Sequence, residues 1–133
     1  MLEIGTGSGY AAAVLSRCAA EVFTVERIDI LAEDARRKLE ALGYRNVRVE
    51  LSDGTLGWPD HAPYDGIVVT AGAPEVPEEL QAQLATGGRL VIPVGPTPYL
   101  QNLVRVRKNA QGELTREELC AFRFVPLIGK QGW

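Results

Sequence analysis

Charge of one sign, reactive side chains and long apolar runs are all scarce in this sequence, and each scarcity excludes something. Fourteen Lys and Arg against 17 Asp and Glu leave a net charge of −3 over 133 residues, without the basic stripe that a nucleic-acid partner requires. No apolar run approaches the roughly 20 residues of a membrane helix, and no basic-then-apolar leader precedes the first motif, so no membrane association is expected. There is one histidine, His61, and two cysteines, Cys18 and Cys120, far apart and with no CxxC or His-rich partner. No metal-ligand cluster, Ser/His/Asp set or P-loop can be assembled from these, and no metal is expected. The thiols read as reduced small apolar groups in a cytoplasmic protein. His61 sits in a loop beside Asp60 and reads as an exposed group rather than a base, and Trp58 reads as a lid over a core edge. What remains is a globular balance, 46% hydrophobic and 23% charged, enough for one core in a single domain spanning 1–133.

The chain is organised around its first ten residues, MLEIGTGSGY. A short apolar run breaks into Gly5, Gly7 and Gly9 and feeds a helix-forming stretch, the pattern of a nucleotide-binding turn. Glycines there can take positive φ and leave bare backbone against a ligand, at an entropic cost that a plain connector would avoid. The dinucleotide fingerprint G-x-G-x-x-G would need glycine at position 10, where Tyr10 stands, which opposes an NAD oxidoreductase. The pattern here is E-x-G-x-G-x-G, with Glu3 two residues before Gly5.

Periodicity beyond that turn alternates helix and strand. A helix is expected over Ser8–Ala20, with Ala12, Leu15 and Ala19 on one face and Ser8 as a possible cap. Glu21–Glu26 reads as a strand. A helix from Asp29 to about Leu42 carries the apolar stripe Ile30, Leu31, Ala35, Leu39 and Leu42, with Gly43 as its stop. Asn46–Leu51 is a third strand, Asp53-Gly54 a turn, and IVVTAG a strand buried on both faces. A helix over Glu78–Ala85 stops at Gly87-Gly88, and Arg89–Val94 is a fifth strand. Two alternating runs, Leu100–Lys108 and Leu119–Leu127, form a hairpin around a turn at Asn109–Gly112. The expected fold is α/β: a Rossmann-like, mostly parallel sheet with helices on both faces and a C-terminal antiparallel hairpin. Ligands bind such sheets beyond the carboxyl ends of the strands, and Gly5–Gly9, Glu26, Asp53 and Thr70–Ala73 all fall there. Glu26, about 20 residues past the glycines, is placed to accept from ribose hydroxyls.

LEIGTGSGY resembles motif I of the Rossmann-like S-adenosylmethionine-dependent methyltransferases. LEIGTGSGYAAAVLS, VFTVERI, LGYRNV, DGTLGWPDHAPYDGIVVTAGAPEVPEEL, LATGGRLVIPVG and FRFVPLIG together resemble the protein-L-isoaspartate O-methyltransferase family over nearly the whole chain. The resemblance implies S-adenosylmethionine as cofactor and isoaspartyl residues of damaged proteins as substrate, methylated on their free carboxylate for repair. It assigns Glu3, Gly5, Thr6, Gly7, Ser8, Gly9, Glu26, Arg27, Asp53, Gly54 and Thr70 to the cofactor. In it Glu3 lies beside the methionine part, which is compatible with Glu3 also holding the glycine loop through backbone N–H groups, and Asp53 lies near the adenine amino group. Ala71, Ala73, Pro74, Val94 and Gly95 would border the substrate. Members of the family carry a further segment before motif I, with a serine- or threonine-containing loop; this chain is expected to lack it, and with it the catalytic residues. The alternatives are an S-adenosylmethionine-binding fragment without activity and a methyltransferase for another substrate. No N/D-P-P-Y/F motif of amino-nitrogen methylation follows the fourth strand, where TAGAP stands.

Overall fold

The computed structural model describes residues 1–133. Strands β1 (Leu2–Ile4), β2 (Val22–Glu26), β3 (Val47–Leu51), β4 (Tyr64–Val69) and β5 (Leu84–Thr97) alternate with helices α1 (Tyr10–Leu15), α2 (Asp29–Ala41) and α3 (Glu78–Ala82). Then follow β6 (Leu100–Lys108) and β7 (Leu114–Phe122). All join one seven-stranded sheet in the order β3-β2-β1-β4-β5-β6-β7. The pairings among β1 to β5 are parallel, and β5–β6 and β6–β7 are antiparallel. This is the expected Rossmann-like α/β architecture. The order of the last two strands, which the pattern left open, places β7 at the edge.

The core lies on one face of the sheet. Leu2, Ile4, Ile67, Leu90, Ile92 and Val104, each at most 1% exposed, belong to a cluster of 17 buried residues that also takes in Leu80 of α3 and Leu127. Each such side chain contributes roughly 1.5–3 kcal/mol by leaving water. Because side chains alternate along a strand, the intervening positions face the other way. Glu3, Val68, Val91 and Arg105 stand opposite one another across β1, β4, β5 and β6. On that second face α1 and α2 pack over β2 and β3, and Val68 and Val91 stay half-buried.

Four expectations about elements are corrected. The first helix is six residues long, not Ser8–Ala20, and its N-cap is Gly9 at φ 84°, with no side-chain cap from Ser8. The Asn46 side-chain amide reaches the carbonyls of Ser16, Ala19 and Ala20 at 2.9, 3.3 and 3.2 Å, which folds residues 16–20 into a turn. In α2 the buried stripe is Ala32, Ala35 and Leu39, while Ile30 and Leu42 are 76% and 74% exposed. A small alanine lets α2 lie close to the glycine turn, where a Cβ on Gly9 would sit 3.4 Å from Ala35 and 3.3 Å from Leu39. α3 ends at Ala82 and β5 begins at Leu84, because the buried Gln83 turns the chain, donating to the Leu56 carbonyl at 2.8 Å and accepting from Trp58 N–H at 2.9 Å. The second hairpin strand is Leu114–Phe122 rather than Leu119–Leu127. Asn109 Oδ1 accepts from the N–H groups of Gln111 and Glu113 at 3.0 and 2.9 Å, a turn that sets Lys108 opposite Leu114.

Candidate functional site

The glycine turn is built by left-handed backbone at Gly5, Gly7 and Gly9, with φ of 99°, 54° and 84°. Its anchor is Glu26, 7% exposed at the end of β2. Gly7 N–H donates to Glu26 Oε2 at 2.9 Å, and the N–H groups of Arg27 and Ile28 donate to Oε1 at 2.9 and 3.0 Å. A carboxylate offers about four acceptor positions, so one remains after these three bonds. From β4, the Thr70 hydroxyl lies 3.0 and 2.9 Å from the carbonyls of Ile4 and Gly5, donating to one of them. A Cβ on Gly5 would meet Thr70 Oγ1 at 2.5 Å, and one on Gly54 would meet Ile4 Cγ2 at 2.5 Å. Both glycines are required by close approach, and Gly5 by its φ as well.

The turn opens on a cleft of about 470 Å³, lined by Ile4, Gly5, Gly7, Val25, Glu26, Arg27, Ile28, Leu31, Gly54, Thr70, Ala71 and Val125 to Ile128. Most of the expected cofactor residues are therefore brought together. Glu3 is not among them. It is fully buried, and Thr24 Oγ1 donates to its Oε2 at 2.6 Å while lying 2.6 Å from Thr6 Oγ1. The reading in which Glu3 holds the loop through backbone N–H groups is corrected: Glu26 does that, and Glu3 reaches the loop only through Thr24 and Thr6. Burial raises the Glu3 carboxyl from its ordinary 4.5 to about 7, opposed by the Thr24 hydrogen bond and aided by the negative charge of Glu26; its Oε1 has no partner. Asp53 is half-buried beside the cleft. Its carboxylate accepts from Thr55 N–H and Oγ1 at 2.9 and 2.8 Å and from Lys130 N–H at 2.8 Å. Burial alone would raise its pKa, but these hydrogen bonds, with the charge of Arg27, hold it below the usual value. Ser8 is exposed, 3.4 Å from Tyr10 N–H.

The expected substrate residues gather where three segments meet. Ala73 N–H donates to the Pro93 carbonyl at 2.9 Å and Gly95 N–H to the Ala73 carbonyl at 3.0 Å. Gly72 bridges in parallel to Pro126 on the other side. Ala73, Val94 and Gly95 are buried in this junction, Pro74 is half-buried beside it, and Ala71 faces the cleft. Sequence reasoning missed Ile28, Leu31 and Val125–Ile128 as cleft walls. The expected second hairpin strand, Leu119–Leu127, absorbed most of the last; the signal against that was Pro126, which cannot donate to a strand ladder. His61 is half-buried and stacked on Phe23, centroids 4.2 Å apart, and Trp58 packs edge-on to the same ring at 5.5 Å. Neither lines the cleft.

A doubly wound sheet with a glycine turn after β1, an acid clamp after β2 and a cleft at the carboxyl ends of the strands defines a Rossmann-like cofactor-binding domain. The chain belongs to the protein-L-isoaspartate(D-aspartate) O-methyltransferase family, whose family model matches residues 1–132. It is 64% identical over 133 residues to protein-L-isoaspartate O-methyltransferase 2 of Pelobacter propionicus, spanning 100% of this chain and 59% of that protein. A solved protein-L-isoaspartate O-methyltransferase superposes with a TM-score of 0.90 at 38% identity, over 98% of this chain and 42% of that one. A Plasmodium falciparum protein, described as a candidate member and solved with S-adenosyl-L-homocysteine, has the same fold: TM-score 0.78, 24% identity, 96% of this chain and 64% of that one. The chain thus spans about three-fifths of the length of the curated relatives it matches.

Proposed function

We propose that this chain is the cofactor-binding part of a protein-L-isoaspartate O-methyltransferase, which uses S-adenosylmethionine to methylate the free carboxylate of isoaspartyl residues in damaged proteins. The observation that carries the reading is the Gly7–Glu26 clamp opening on an apolar cleft, in a chain that matches this family along its length.

The residues present fit the cofactor. Glu26 keeps one acceptor position after its three backbone donors, as a ribose hydroxyl requires. Ile28 and Leu31, 41% and 36% exposed, offer apolar surface to a purine. The backbone of Gly5–Gly9 can approach the amino-acid end closely because no side chain intervenes. When bound, the cofactor supplies an electrophilic methyl group on its sulfonium. A substrate carboxylate is ionised at neutral pH, so the chain's residues need only align it and exclude water. Ala71, Ala73, Pro74, Val94 and Gly95 carry no titratable side chain, in keeping with a site that shapes rather than protonates. The reading in which this chain binds the cofactor without transferring the methyl group rests on its covering 59% of a relative's length.

The test is methylation of an isoaspartyl peptide against its aspartyl twin, with calorimetric titration by S-adenosylhomocysteine beside it. Transfer to the first peptide alone supports the full reading. Saturable binding without transfer supports the cofactor half only, and binding of neither overturns both.

A further inference from the structure

Gln83 sits between α3 and β5, 6% exposed, and its side chain bonds to a single loop. Its Nε2 donates to the Leu56 carbonyl at 2.8 Å and its Oε1 accepts from Trp58 N–H at 2.9 Å. Gly57, between those two residues, has φ 65°, and a Cβ there would lie 2.2 Å from Gln83 Oε1. The amide therefore lies against bare backbone and bonds the loop on both sides of the glycine. From β4, the Tyr64 hydroxyl donates to the Trp58 carbonyl, and Tyr64 N–H ties back to the Gln83 carbonyl at 2.8 Å. Buried polar circuits of this kind hold firmly when every member is paired, and an unpaired member is costly.

The other end of the loop is in the cleft. Gly54 and Thr55 are buried in a tight turn over Gly54–Leu56 that Asp53 caps, and Gly54 belongs to the cleft lining. Its seat is narrow, because a Cβ would lie 2.5 Å from Ile4 Cγ2. Gly57 N–H closes the turn on the Gly54 carbonyl at 3.1 Å, so a shift at Gly57 is passed to Gly54. Gln83 itself lines no part of the cleft. We infer that Gln83 is a positioning residue of the cofactor site: it fixes Leu56 and Trp58 so that Gly54 stays seated against Ile4 and the cleft keeps its shape. The inference rests on the cofactor reading above. By linkage, whatever Gln83 gives to ligand affinity the ligand returns to the hydrogen bonds of Gln83.

An apolar residue at position 83 strands the Leu56 carbonyl and Trp58 N–H. A carboxyl group there still accepts from Trp58 but donates to Leu56 only when protonated. Calorimetric titration of the full chain with S-adenosylhomocysteine at pH 8 is expected to show about tenfold weaker binding for both Gln83→Leu and Gln83→Glu. At pH 5, where burial favours the protonated acid, Gln83→Glu is expected to return to within about twofold of the parent at the same pH, while Gln83→Leu stays weak. Tyr64 on the Trp58 carbonyl and Lys108 on the Leu84 carbonyl are common to parent and variants and cancel in the comparison. A merely structural amide would lower the urea midpoint of both variants and leave the affinity of the folded chain unmoved. Hydrogen exchange of the unaltered chain gives a readout that needs no variant: saturation with S-adenosylhomocysteine is expected to slow the amides of Gly57 and Trp58. Parent-like affinity of both variants at pH 8, no recovery of Gln83→Glu at pH 5, or those amides unchanged at saturation overturns the inference and leaves the cofactor reading standing. No binding by the unaltered chain removes the cofactor reading and the inference with it.

Discussion

At the scale of single residues, one carboxylate holds the site and another is strained by it. Glu26 satisfies three backbone donors and faces the cleft, so Glu26→Ala leaves three part-buried N–H groups without their partner and removes the acceptor. Hydrogen bonds to charged groups are each worth about 1.5–3 kcal/mol; S-adenosylhomocysteine affinity is expected to fall at least tenfold, read by calorimetry, and unchanged affinity would sink the ribose assignment. Gly5→Ala forces a Cβ onto Thr70 Oγ1 at φ 99°, and strain of this kind costs of order 1–3 kcal/mol, visible as a lower urea midpoint. Glu3 behaves oppositely to a paired surface acid. Its folded pKa, about 7, lies above its ordinary 4.5, so the folded state holds the proton more tightly than the unfolded one. Its contribution to stability is fullest below pH 4.5, is lost as pH rises towards 7, and is level beyond. Measured from pH 4.5 to 8, the stability of Glu3→Gln relative to the parent is expected to rise and then plateau, by no more than about 3 kcal/mol. A pH-independent difference would contradict the burial argument.

At the scale of elements, the parallel strands and the turns at their carboxyl ends were legible from the sequence, because a glycine triplet, a strand-end acid and a continuous apolar run depend on local pattern. The errors share another cause. Residues 16–20 were read as helix because their composition allows it, and Asn46, 26 to 30 residues away, turns them instead. β7 was misplaced because all nine of its residues are exposed, so hydrophobic alternation had nothing to report; its register comes from the Asn109 turn. The wall at Val125–Ile128 was missed as part of the site because its partners, Gly72 and Asp53, are far away in sequence. Lys108 shows the same distance dependence. Its ammonium donates to the carbonyls of Gln81 and Leu84 at 3.1 and 2.8 Å, closing the end of α3 from β6. Lys108→Met should keep the half-buried stem and lose about 1 kcal/mol in urea denaturation; no change would mean the two carbonyls are equally well served by water.

At the scale of the molecule, the two faces of the sheet carry unequal weight. Ile92 is fully buried in the core cluster, whereas its neighbour Val91 points to the other face and is half-buried. Ile92→Ala is expected to cost about 2–5 kcal/mol and Val91→Ala less than about 1 kcal/mol, compared by denaturant unfolding. Equal losses would mean that the second face is as well packed as the first. The anchoring of Phe124–Trp133 to Gly72 and Asp53 also orders events in time. During synthesis, at about 5–20 residues per second, the glycine turn and its acid clamp leave the ribosome well before the cleft wall at Val125–Ile128. A nascent chain can therefore pair β1, β2 and β3 early, yet it has no complete cleft to offer a small molecule until Trp133 has been added.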